Sequence, residues 1–210
     1  LKEDLSRRDF TINAMAIKQD KVADYFGGKD DLKNKTIKTV GDPDERFRED
    51  GLRIMRATRL ATELDFDIEK KTAEAIKNNS ELIKEISVER VRDELIKILS
   101  IPSKNPTGKI KFWQESELTE SDLASGAIKG VELLRDLGIL KHIIPELEAG
   151  MGVTQNKHHI FTVWEHNMQA FAYAVKMDFS LEVKIASLFH DIGKPHSKRG
   201  EGPDSTFYGH

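Results

Sequence analysis

The chain has 210 residues and a formal net charge of -3; 38% of it is hydrophobic, 33% is charged, and it has no cysteine. This balance excludes a global attraction to nucleic acid, although 33 basic residues leave room for a local basic face. The lack of cysteine excludes disulfides and thiolate metal sites, so any metal must take His, Asp or Glu. No apolar run approaches the ~20 residues of a membrane span and no signal peptide is visible, so the expected location is cytoplasmic. The first residue is Leu1 rather than methionine, which reads as a fragment or a processed form.

In chain order, Arg8 to Ala16 reads as a helix with Asp9 near its start. Val22 to Phe26 reads as a strand ending at the Gly27-Gly28 turn, and Asp30 to Asn34 as a short helical turn. Thr36 to Val40 is a β-branched strand. After Gly41 the pattern becomes helical. Asp42-Pro43-Asp44 is expected to be a helix-entry turn. Arg48 to Leu64 carries apolar residues at helical spacing, and Glu69 to Asn79 and a Ser87-capped helix to Leu99 follow. Residues 101–125 hold two prolines and little periodicity and read as a loop or insertion. Helices resume over Gly126 to Leu137, Leu140 to Leu147, Thr162 to Lys176 and Ser180 to Ile192, before a Gly- and Pro-rich tail.

Within "EDGLRIMRATR", Asp50 and Arg53 lie three apart, so a helix puts them on one face, which Arg56 continues. One reading is a helix salt bridge worth roughly 0.2–0.5 kcal/mol. The other is recognition of a base edge. Cytosine and adenine set an amino donor beside a ring-nitrogen acceptor, and an Asp accepting and an Arg donating match that order. Uracil and guanine reverse it and leave both side chains badly paired, which is costly. Spacing permits either reading.

A second group of residues points to a metal. His166 lies inside one helix, His190-Asp191 closes the next, and His210 ends the chain. Two antiparallel helices bring the first three together, and imidazoles with a carboxylate suit a divalent transition metal. His158, His159 and His196 are expected to face solvent. Lys194 is expected either to meet a phosphate or to end a helix.

Four stretches, "RRDFTINAMAI", "GDPDERFREDGLRIMRATRLATELDFDIE", "ISVERVRDELIKIL" and "LLRDLGILKHIIPEL", in this order, resemble bacterial tRNA nucleotidyltransferases: the CCA-adding enzymes and their poly(A) polymerase and CC- or A-adding relatives. The resemblance implies a mainly α fold. A small α/β remnant of the nucleotidyltransferase head would span 1–40, and the helical neck with the nucleotide-selecting helices 41–100. The body with its insertion would span 101–150 and a truncated all-α HD domain 151–210. It implies that Arg8 and Asp9 read the ribose and that Asp50 and Arg53 template CTP or ATP, while Arg56 approaches the triphosphate. Arg90 and Arg92 would brace the neck helices or be surface arginines. Transfer would use Mg²⁺ held by a head Asp-x-Asp pair that accompanies a Gly-Ser; Asp42-Pro43-Asp44 has no preceding Gly-Ser and does not match it, so this chain is expected to be inactive in transfer. tRNA would be the partner. Lys97, Lys104, Lys109 and Lys111 form a candidate phosphate patch, against a plain solvated face.

"LFHDIGKPHSKR" resembles the HD superfamily of metal-dependent phosphohydrolases, with His166, His190, Asp191 and His210 at the ligand positions. Two other readings stay open: an independent HD phosphohydrolase acting on nucleotides or RNA-end phosphates, and a non-catalytic RNA-binding module.

Overall fold

The computed structural model describes residues 1–19, 21–103, 126–156, 160–200 and 202–209. After helix α1 (Lys2–Ser6), the segment that reads as a helix from Arg8 to Ala16 is not one. Phe10 is extended and bridges to Thr39, Thr11–Asn13 forms one 3₁₀ turn, and Met15–Lys18 is strand β1. The reason is long-range: Thr11 N–H donates to the Lys38 carbonyl and Phe10 is wholly buried, so tertiary pairing overrides the local pattern. Strand β1 pairs antiparallel with β2 (Lys21–Asp24), which begins one residue before the expected start at Val22 and ends two residues before the expected end at Phe26.

Gly27 adopts φ +79° and opens helix α2 (Gly28–Lys33). A Cβ on Gly28 would stand 2.3 Å from the Thr11 carbonyl oxygen, so only glycine lets α2 close on the Phe10 segment. Strand β3 is just Thr36–Ile37, and it pairs in parallel with β4 (Asp67–Ile68).

Asp42 does cap a helix: its Oδ1 accepts from Asp44 N–H (3.0 Å) and Glu45 N–H (3.3 Å), and Pro43 occupies the first position of α3 (Pro43–Glu49). The expected helix from Arg48 to Leu64 is two helices. Asp50 is extended (φ -154°, ψ 102°), and α4 runs Leu52–Leu64. Apolar periodicity continues across this break, which is why the sequence conceals it. Helix α5 (Lys70–Asn79) follows, then a 3₁₀ turn (Ser80–Glu85) and α6 (Val88–Leu99). Ser87 stands at the N-cap of α6, but its side chain makes no capping bond.

Helices α7 (Gly126–Asp136), α8 (Leu140–Ile143) and α9 (Pro145–Glu148) come next. The single helix expected over Leu140 to Leu147 is broken because a residue before proline is driven out of the helical region, as Ile144 is. Helix α10 (Val163–Lys176) starts with a reciprocal Thr162–Glu165 capping box, and α11 (Leu181–Phe189) packs against it. The tail is more ordered than its composition implies: α12 (Lys194–Ser197) leads into a two-residue antiparallel hairpin of β5 (Lys198–Arg199) and β6 (Thr206–Phe207). The 151–210 region is therefore not all-α; Gly200 and Gly202, both at positive φ, supply the turn chemistry. The candidates His158, His159, His210, Lys104, Lys109 and Lys111 lie outside the described residues, as does most of the 101–125 stretch.

Helix α4 is the centre of the molecule. Its buried Ile54, Met55, Ala57 and Ala61 contact a core that runs from Phe10 and Phe47 to Trp164, Phe171 and Leu188. It packs against α6 and α7, and α7 carries α10. The start of α4 is thereby fixed against both the N-terminal segment and α6. No described helix is long and apolar enough to cross a membrane.

Candidate functional site

The break between α3 and α4 opens into a recess of about 490 Å³. The N-terminal segment contributes Arg7, Arg8, Asp9 and Asn13, the break and α4 contribute Asp50, Arg53 and Arg56, and α6 contributes Arg90. Sequence separations of more than 80 residues thus close on one polar hollow. Its five arginines face two carboxylates, an excess of positive charge suited to a polyphosphate.

Asp50 and Arg53 do share this recess, but not by sharing a helix face. Asp50 precedes α4 and accepts from Leu52 N–H at 3.1 Å, doing the work of an N-cap. Nor do the two form the bland salt bridge. Asp50 is paired with Arg90, 3.1 Å from Nη2 to Oδ2. Arg53 donates from Nη1 to the Arg46 carbonyl (3.1 Å) and Glu49 (2.8 Å), and from Nη2 to the Arg7 carbonyl (3.0 Å). The acceptor and the donor are therefore held separately.

Asp9 is buried, and burial alone would raise its carboxyl. Its partners together outweigh this, chief among them Arg56, which donates to Oδ2 from Nε (2.8 Å) and Nη2 (2.5 Å). Phe10 N–H and the Asn13 amide on Oδ1 add to it, so Asp9 titrates below its ordinary range. Arg8 is largely exposed, 3.7 Å from Asp4. Arg92 is exposed and pairs with its neighbour Asp93, and Lys97 is taken by Glu94.

Glu49, Arg7 and Asn13 are site residues the sequence reading missed. Glu49, adjacent to Asp50, is legible in hindsight as an i to i+4 partner of Arg53. The Arg7 carbonyl carries no sequence signal at all.

The second cluster assembles as expected. His166 on α10 and His190 at the end of α11 bring their Nε2 atoms to 3.0 Å, and Asp191 Oδ2 lies 3.2 and 3.3 Å from them. All three ligand atoms fall within 4.8 Å of one another. His190 Nδ1 meets the Ser187 carbonyl at 2.8 Å, which directs the Nε2 lone pair into the cluster. Lys194 opens α12 rather than ending a helix. It is buried, 2.6 Å from Asp191 Oδ2 and 2.8 Å from Gln155 Oε1. Burial would raise the Asp191 carboxyl; the Lys194 bond and the neighbouring His190 and His166 charges bring it below the ordinary value. His196 is exposed, as expected.

The chain was compared with known proteins. Residues 1–38 match the model for the "Poly A polymerase head domain", and residues 65–106 the model for the "Probable RNA and SrmB- binding site of polymerase A". The A-adding tRNA nucleotidyltransferase of Deinococcus radiodurans is 33% identical over 221 residues, which takes in 100% of this chain and 45% of that protein. The chain is therefore similar to tRNA nucleotidyltransferases along its whole length. A CCA-adding enzyme of Lactobacillus helveticus is 56% identical over 99 residues, 47% of this chain and 25% of that protein. The chain thus spans less than half the length of these tRNA nucleotidyltransferases. Among solved structures, the Bacillus stearothermophilus CCA-adding enzyme in complex with CTP matches with TM-score 0.56 and 27% identity, over 92% of this chain and 47% of that one. The Thermotoga maritima CCA-adding enzyme complexed with tRNA matches with TM-score 0.61 and 25% identity, over 92% and 41%.

Proposed function

We propose that this chain is the nucleotide-selecting part of a tRNA nucleotidyltransferase that adds C, A or both to the tRNA 3′ end from CTP and ATP. The observation that carries this reading is the recess in which Asp50, an acceptor, and Arg53, a donor, stand beside an excess of arginines. Asp50 accepts from the amino group of cytosine or adenine and Arg53 donates to the adjacent ring nitrogen. Arg56, oriented by Asp9, faces the phosphates, and Arg8 and Asp9 border the ribose. Solved relatives with CTP and with tRNA support the same substrates. The division into a head segment over 1–40, a neck over 41–100, a body over 101–150 and an HD unit from 151 belongs to this reading.

The Mg²⁺ of nucleotidyl transfer does not fit the carboxylates of the recess. Asp9 is committed to Arg56 and Asp50 to Arg90, and no trio of ligand-type side chains gathers there among the described residues. His166, His190 and Asp191 do fit a divalent transition metal, two imidazole nitrogens and one carboxylate oxygen converging on one point. We read this as the metal site of an HD unit, where His166, His190 and Asp191 would hold an ion that would polarise a water or a phosphate oxygen. Lys194 then balances the Asp191 charge and Gln155 fixes Lys194.

The deciding experiment is calorimetric binding of CTP, ATP, UTP and GTP to the wild-type chain and to Asp50→Ala. CTP and ATP are expected to bind in preference to UTP and GTP. Loss of one hydrogen bond to a charged group, about 1.5–3 kcal/mol, is expected to weaken CTP and ATP binding ten- to a hundredfold in the variant. Equal binding of all four nucleotides by the wild type would overturn the reading.

A further inference from the structure

We infer that Arg90 determines base specificity by position: it holds the Asp50 carboxylate in the one orientation that rejects uracil and guanine. The inference rests on the reading of the recess given above and goes beyond it, because Arg90 stands on a different element from both base-reading side chains.

Asp50 lies in extended backbone between two helices, where no helical turn restrains its side chain. Its restraints are the Leu52 N–H on Oδ1 at 3.1 Å and the Arg90 guanidinium, whose Nη2 reaches Oδ1 at 3.4 Å and Oδ2 at 3.1 Å. Arg53, by contrast, is anchored to α3 and the N-terminal segment through three bonds of its own. The acceptor arm therefore depends on α6, and the donor arm does not. A carboxylate has about four lone-pair directions, so these bonds leave room for a base amino group.

Rejection depends on this restraint more than binding does. Uracil and guanine turn a carbonyl oxygen toward Asp50, and two acceptors facing each other repel only if neither can turn away. A carboxylate freed from Arg90 rotates about its side-chain bonds and escapes the clash. CTP and ATP, which offer an amino group, still recapture it. Arg90 thus contributes through the wrong nucleotides, as a device of specificity.

The test is nucleotide binding by wild type, Arg90→Met, Arg90→Lys and Asp50→Ala, with thermal melting of each. In Arg90→Met, CTP affinity is expected to fall only a few-fold, while the preference for CTP over UTP falls about tenfold. Arg90→Lys, which keeps one charged donor, is expected to recover part of that preference. Wild-type preference in Arg90→Met alongside lost preference in Asp50→Ala would overturn the role of Arg90 and leave the base-reading recess standing. Equal weakening for all four nucleotides, or a lowered melting temperature that accounts for the loss, would make Arg90 a plain brace and overturn the inference. Unchanged preference in Asp50→Ala, or none in the wild type, would overturn the recess and the inference with it.

Discussion

Asp9 shows how much of the recess depends on a single carboxylate. It takes both Arg56 donors while receiving Phe10 N–H and the Asn13 amide, so it orders the N-terminal segment and α4 together. Its titration has a definite sign. A carboxyl held below its ordinary value favours the folded state when ionised. That contribution is complete above the ordinary range near pH 4 and is lost as pH falls through it toward the depressed value. The stability advantage of wild type over Asp9→Asn, measured by urea unfolding, should therefore be larger at pH 7 than at pH 3; an equal gap at both would refute the coupling. That Asp9, Asp50, Arg53 and Arg56 belong to one recess was expected from the family resemblance, and they do line one. Their individual partners were not legible in the sequence, because Asp50 meets Arg90 and Arg53 meets the Arg7 carbonyl across 40 and 46 residues.

At the scale of elements, the break between α3 and α4 makes the site. It is tightly packed: a Cβ on Gly51 would lie 3.0 Å from the Leu82 carbonyl oxygen and 3.1 Å from the Leu82 Cβ, so Leu82 would have to give by a few tenths of an ångström. Gly51 has an ordinary helical φ of -59°, so the constraint is space and not backbone strain. Gly51→Ala should force the 3₁₀ turn after α5 away from α4, at a cost of about 1–3 kcal/mol in chemical denaturation. CTP affinity should fall with it, because Asp50 and Arg53 flank the moved residue. A fully stable variant with wild-type CTP binding would show that the turn gives way freely. Apolar periodicity marked the helices well where burial and period agreed, as in α5 and α10. It failed over Arg8 to Ala16, where pairing with residues near Thr39 decided the conformation.

Across the whole molecule, one continuous apolar core takes in Phe10 and Phe47 as well as Phe171 and Leu188, which lie on the two helices that bring the histidines together. The cluster of His166, His190 and Asp191 ties α10 to the end of α11, so an ion bound there as proposed should stabilise the fold. At a Zn²⁺ concentration 100-fold above its dissociation constant the gain is about 2.7 kcal/mol, or a rise of roughly 5–10 °C in melting temperature for a chain of this size. His190→Ala should abolish that rise. A rise that survives in the variant would assign the effect to other histidines and remove the cluster as a metal site.

The sequence by itself determined the resemblance to tRNA nucleotidyltransferases, the mainly helical class, and the residue types that converge in each site. Those depend on side-chain chemistry and local order, which motifs carry directly. Only the tertiary structure decided that Asp50 leaves the helix, that Arg90 restrains it, and that Lys194 turns inward to Asp191. These outcomes follow from packing α6 across α4 and α11 against α10. Contacts made by distant segments have no spacing for a sequence to display.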